Sequence, residues 1–136
     1  MIVLDENILA SQREFLRAWR IRCKQIGRDL GRPGLPDVDV LALLRRTAGV
    51  TFFTRDLRLA RPELCDRRIC LVTLDVGQQE TAWFTRLVLR HPALATQAAR
   101  LGTVVRASQS GLRVWRTGDR DGRSMAWKPT TRHRDV

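Results

Sequence analysis

Three short apolar runs, each closed by a carboxylate, constrain this chain most. "MIVLDENI" runs apolar from Ile2 to Leu4 and stops at Asp5; "GVTFFTRD" stops at Thr54, Arg55 and Asp56; "ICLVTLD" stops at Asp75. Unbroken apolar runs of this length are the pattern of strands buried on both faces. Between them lie segments of helical period. Ile8, Leu9, Phe15, Leu16 and Trp19 recur at that spacing after Asn7, a suitable N-cap. Val38, Leu41, Ala42 and Leu44 follow Asp37, which sits near the start of a second helix. Residues 78–90 carry Trp83, Leu87 and Leu89, and Pro92 is placed to begin a further helical stretch to about Leu101.

Weaker signals complete the order. Ile21, Cys23 and Ile26 alternate as in a short strand, and "GRDLGRPGLP" is a Gly/Pro loop. "TVVRASQSGLRVWRT" alternates on both sides of a Ser-Gln-Ser-Gly turn, which predicts a hairpin. Strands alternating with helices predict an α/β fold: a mostly parallel central sheet, helices on both faces and a C-terminal β-hairpin. The expected division is one domain over 1–117 and a loose basic tail over 118–136, where apolar periodicity stops. No internal repeat is present, and a chain of 136 residues is one domain's worth.

In open α/β sheets ligands bind beyond the carboxyl ends of the strands. Asp5, Asp56 and Asp75 all fall at such ends, and Asp37, at a helix start, falls on the same rim. Each aspartate alone reads as a cap or turn residue. As a set they repel, and a bridging cation relieves the repulsion. Hard oxygen ligands select Mg2+ or Mn2+, and such ions promote phosphodiester hydrolysis.

Charge points to the partner. There are 25 basic residues against 14 acidic ones, for a net charge of +11, and only Lys24 and Lys128 are lysine. Coding bias toward arginine accounts for the Arg-to-Lys ratio but not for the net excess. Arginine's planar fork suits phosphate and stacks on bases, so nucleic acid is the leading partner class and an acidic protein the other. No segment is long and apolar enough to cross a bilayer, and Asp5 and Glu6 break any signal-peptide pattern, so a cytoplasmic location is expected. Cys23, Cys65 and Cys70 are odd in number and lack a CxxC pair, which argues against disulfides and zinc. "GRDLGRPG" lacks the Lys-Ser/Thr ending of a phosphate-binding loop.

"MIVLDENI", the loop leading to "PDVDVLALLRR", and "GVTFFTRDLRL" together resemble the PIN-like nuclease superfamily, in particular its small toxin-type members and the Mut7-C ribonuclease-type domain. The resemblance covers residues 1–75 well and the later elements loosely, and it does not extend past Gly118. It implies a Mg2+- or Mn2+-dependent ribonuclease, often a toxin neutralised by an antitoxin protein. It carries the first family acid onto Asp5, the acid of the T-[RK]-D step onto Asp56, and the middle acid onto Asp37 or Asp39, with Asp75 as a stand-in for a fourth. Glu6 is expected to point away from the metal and Asn7 to cap the helix or orient Asp5. Arg55 and Arg58 are the candidate RNA contacts. RNA, an antitoxin and a second copy of the chain in a homodimer are the expected partners, and no membrane is.

His91 and His133 lack ligand spacing and are expected on the surface. Trp19, Trp83 and Trp115 are expected in core or interface, and Trp127, in the tail, either exposed or stacked on a base. Two function classes follow: a metal-dependent RNase of PIN-like type, and a catalytically weak nucleic-acid-binding or protein-interaction module on the same fold.

Overall fold

The computed structural model describes residues 1–128. His133 lies outside them. The strands are β1 (Ile2–Leu4), β2 (Lys24–Gln25), β3 (Val50–Thr54), β4 (Ile69–Asp75), β5 (Thr103–Ser108), β6 (Gly111–Arg116) and β7 (Arg123–Met125). The helices are α1 (Ala10–Ala18), α2 (Asp37–Thr47), α3 (Thr81–Arg90) and α4 (Gln97–Arg100). One sheet holds all seven strands in the order β2-β1-β3-β4-β5-β6-β7. The first five are mutually parallel, and β6 and β7 are antiparallel additions. The α/β class with a mostly parallel sheet is therefore observed.

Alternation along the strands divides the core between two faces. Phe53, Val72, Leu74, Val105 and Val114 meet Leu16 of α1 and Phe84 and Val88 of α3 on one face. Val3, Phe52, Leu71 and Val104 meet Val40, Leu41 and Leu44 of α2 on the other. Neighbouring Phe52 and Phe53 point oppositely and are 2% and 0% exposed, so each contributes about 1.5–3 kcal/mol of burial. That anchoring fixes the end of β3 rigidly.

Several expectations need correction. The helix expected from Ile8 begins only at Ala10, its N-cap is Leu9, and Asn7 is an exposed turn residue that does not cap it. The cause is a tight turn after β1: Ile8 N donates to Asp5 O at 3.1 Å, and the carbonyls of Asp5 and Ile8 accept from Gln25 Nε2 at 3.0 and 2.9 Å. The stretch expected to be helical from Pro92 is helical only over α4. His91 precedes a proline and is extended, which ends α3 there, and Ala93 N folds back onto His91 Nδ1 at 3.1 Å.

The loose tail from Gly118 is also overturned where it is described. Arg123–Met125 pair with β6 as the seventh strand, and Trp127 packs tilted on Phe84 with its Nε1 donating to Ser108 O at 2.7 Å. His91 is buried rather than on the surface, and its Nε2 faces Ala126 O at 2.8 Å. Because Nδ1 accepts from Ala93, the ring proton sits on Nε2 and points at that carbonyl. Trp115 is buried as expected, but Trp83 is 50% exposed and lies edge-on to Trp19 with Arg86 against both rings. The three cysteines are free.

Candidate active site at the carboxyl ends of β1 and β3

The parallel strands run in the order β2-β1-β3-β4-β5, so the chain turns to opposite sides after β1 and before β3. That reversal opens a crevice between the carboxyl ends of β1 and β3. A pocket of about 380 Å³ lies there, with Asp5, Thr54, Asp56, Asp37, Arg55 and Arg58 in its polar wall and Phe52, Val40 and Leu41 below.

Each side chain arrives from a different element. Asp5 follows β1 directly, and its backbone N donates to Phe53 O at 2.9 Å, which continues the ladder for one residue. Asp56 follows β3 and caps a single 3-10 turn, Leu57–Leu59, by accepting from Arg58 N at 3.1 Å. Asp37 is the first residue of α2, where a negative charge complements the helix dipole. Thr54, fully buried, joins two of them: its hydroxyl donates to Asp5 Oδ2 at 2.7 Å and accepts from Asp56 N at 3.0 Å.

The two rim carboxylates are held in opposite electrostatic states. Burial pushes the Asp5 carboxyl above the ordinary carboxylate range, opposed by its Thr54 hydrogen bond and reinforced by the nearby charges of Asp37 and Glu6. The Arg58 guanidinium holds Asp56 below that range, through Nε at 2.9 Å from Oδ1 and Nη2 at 2.8 Å from Oδ2. The same Nη2 reaches Asp37 Oδ2 at 3.3 Å. A cation thus already bridges two of the three carboxylates, supplied by the chain itself.

The remaining candidates separate. Asp39 is exposed in the first turn of α2 and does not line the pocket, because two helical residues turn about 200° around the axis. Asp75 is exposed at the end of β4, accepts from Arg106 Nη2 at 2.8 Å, and lines a different groove. Arg55 lines the pocket while its Nε donates to Val76 O at 3.1 Å. Glu6 plays a structural part. Both its oxygens accept from Gly34 N, at 3.0 and 3.2 Å, which ties the Gly/Pro loop to the pocket's edge. Gly27 has φ 83°, and a Cβ there would stand 3.1 Å from Glu6 Oε2, so glycine suits that approach.

Thr54 and Gln25 are the site residues the sequence did not single out. Thr54 stands in the T-[RK]-D step but reads as one more strand residue. Gln25 gives no local signal: only the pairing of Leu4 with Gln25 brings its amide to the turn that carries Asp5. Among the described residues no three Asp, Glu, His or Cys side chains close in as a ready metal-binding group. Asp5, Asp37 and Asp56 nevertheless offer hard oxygen donors, and the crowding at Asp5 and the guanidinium between Asp37 and Asp56 both mark a place where positive charge is favoured. Comparison with family models, curated proteins and solved structures returns no match.

Proposed function

We propose that this chain is a Mg2+- or Mn2+-dependent endoribonuclease of PIN-like type, acting as the toxin of a toxin–antitoxin pair. The observation that carries the nuclease reading is that Asp5, Asp37 and Asp56, from three separate segments, line one pocket at the sheet's topological switch point. The toxin role rests on the resemblance of "MIVLDENI" and "TFFTRD" to small toxin-type members of that superfamily.

Asp5, Asp37 and Asp56 would hold the cation. When bound, such an ion activates water and stabilises the leaving oxygen in phosphodiester hydrolysis. Thr54 keeps Asp5 and the Asp56 backbone in fixed relation. Arg58 must release at least one oxygen of Asp56 for that carboxylate to serve as a ligand, and its freed guanidinium then stands beside the phosphate. Arg55, exposed at the pocket mouth, adds a second cation toward the backbone.

The second reading is a module that keeps the fold and binds nucleic acid without cutting it. The bidentate Arg58–Asp56 pair favours it, because a guanidinium that never leaves keeps a divalent ion out. Cleavage of a mixed RNA pool with either metal separates the two. The nuclease reading expects wild type to cleave and Asp56→Asn to lose cleavage while staying folded, with a melting temperature somewhat below wild type because the Arg58 pair is weakened. Cleavage at the wild-type rate by Asp56→Asn removes it from the ligand set. No cleavage by either protein overturns the nuclease reading.

A further inference from the structure

On the face of the sheet that carries α2, the register places one row of residues straight across five strands. Thr54 of β3 pairs with Thr73 of β4, Thr73 with Arg106 of β5, Arg106 with Arg113 of β6, and Arg113 with Ser124 of β7. Directly paired residues share a face. The row begins at Asp5, through its hydrogen bond from Thr54, and ends at the β7 edge.

One feature of this row is costly for folding. Arg106 and Arg113 stand directly opposite each other in an antiparallel pair, where like charges destabilise. Both are exposed, so no helix covers the sheet where they stand. Asp75 answers only one of them, taking Arg106 at 2.8 Å. Arg113 forms no ion pair among the described residues; its Nη1 donates to the Asp121 carbonyl.

Around the pair lies a groove of about 770 Å³, with Ser108, Ser124 and the edge of Trp115 in its walls. Its shape depends on the turn before β7. Gly122, at φ 72°, rests against the Trp115 indole, and a Cβ there would be 2.9 Å from Nε1. Leu59 lines the carboxylate pocket, and its neighbour in the chain, Ala60, lines the groove. Strands lie about 4.8 Å apart, so Arg106 and Arg113 stand roughly 10 and 14 Å from Thr54 along the row.

We propose that the Arg106–Arg113 groove is a binding track for single-stranded RNA, holding the phosphates of the strand on one side of the bond presented to the Asp5–Asp56 pocket. This rests on the nuclease reading for its direction but not for its chemistry. Opposed guanidiniums on an open face are satisfied together by a polyanion, serine hydroxyls donate to phosphate oxygens, and a sheet face accepts unpaired bases more readily than a duplex. An acidic protein segment is the competing occupant, and its own outcome in the test identifies it.

The test measures binding of a labelled mixed-sequence single-stranded RNA of about twelve nucleotides, without divalent cations. Wild type is compared with Arg106→Gln/Arg113→Gln and with Arg17→Gln/Arg22→Gln, an equal charge change at exposed residues near the end of α1. The groove variant should bind at least ten-fold more weakly, and its log–log salt slope should fall by roughly 1.4, about 0.7 for each phosphate no longer neutralised. The α1 variant should stay within about two-fold of wild type. Arg113→Gln alone serves if the double variant does not fold, and relief of the opposed charges should leave its melting temperature equal or higher.

Equal loss in both double variants means that net charge alone binds RNA, and overturns the track. So does absence of RNA binding by wild type at low salt. Polyaspartate binding as tightly as RNA, through the same two arginines, assigns the groove to an acidic protein and overturns it too. RNA held in the groove by a protein that cleaves nothing leaves the track standing and removes the nuclease reading. RNA cleavage with undiminished affinity in the groove variant does the reverse.

Discussion

Arg58 grips both carboxylate oxygens of Asp56, with Nε at 2.9 Å and Nη2 at 2.8 Å, and so occupies the place where an acid of this kind would meet a metal. The same clip recurs away from the pocket. Arg68 takes Asp66 through Nε at 3.0 Å and Nη2 at 2.7 Å, and its backbone N also donates to Asp66 Oδ1. The D-x-R clip is therefore a local turn device that this chain uses twice. What distinguishes the first copy is Asp37, which shares the Arg58 guanidinium, and the pocket behind it.

Removing Arg58 should free Asp56 as a ligand. Arg58→Ala is expected to bind Mn2+ several-fold more tightly than wild type in calorimetry, because no internal cation then competes for the carboxylate. An unchanged or weaker affinity would show that Arg58 does not compete with a cation at this site.

Asp5 carries the opposite consequence. Burial raises its folded-state pKa, so the unfolded chain binds fewer protons through this group and stability falls as pH rises through the folded value. Asp5→Asn keeps an oxygen to accept the Thr54 hydroxyl and removes the buried charge. The variant should melt a few degrees higher than wild type at pH 7 without metal, and the gap should close as the pH is lowered toward 4. A lower melting temperature at pH 7 would mean that Asp5 contributes more as an anion than its burial costs.

Thr54→Val tests the bridge between the two strand ends. Valine keeps the shape of threonine but leaves the Asp56 N–H and the Asp5 carboxylate each short of a partner. A loss of about 1–3 kcal/mol is expected from denaturant unfolding, in line with an unpaired buried donor. Under the proposed nuclease function, RNA cleavage should fall by at least ten-fold. A variant as stable and active as wild type would remove Thr54 from the site.

Asp66 gives the clearest acid dependence. Arg68 lowers its carboxyl pKa to about 2, and Arg45 of α2 adds an ion pair at 3.4 Å. The sign follows from the depressed value: this stabilisation is present above the unfolded carboxylate pKa near 3.9 and is lost as pH falls toward about 2. Asp66→Asn should cost on the order of 1–2 kcal/mol at neutral pH and become indistinguishable from wild type in the acid limb of a pH–stability profile. A constant difference across pH would assign the loss to the turn geometry rather than to the charge.

Truncation tests the C-terminal edge of the sheet. A chain ending at Gly122 loses β7 and Trp127, exposing one side of β6 and part of Phe84. It should melt well below the full chain. Equal melting temperatures would show that the seventh strand adds nothing to the fold.

The alternation of apolar runs with helical periods determined the α/β class, the parallel strands and the carboxylates at their ends. Those features are local, since a run such as "VTFF" is buried on both faces whatever it packs against. Local pattern misleads wherever a distant group decides the outcome. Asn7 is a good cap in isolation, but Gln25, eighteen positions later, ties the turn and delays the helix. The stretch from Gly118 has too little apolar periodicity to read as anything but tail, and only the open edge of β6 and the surface of Phe84 give residues 123–127 a place. Asp37 and Asp39 are equivalent as letters, and the rotation of α2 alone turns one of them to Arg58 and the pocket. Arg106 and Arg113 lie close in the chain, on either side of the turn at Gln109 and Ser110. The hairpin turn alone sets them opposite each other; their alignment with Thr54 exists only because β3, β4 and β5 share one register.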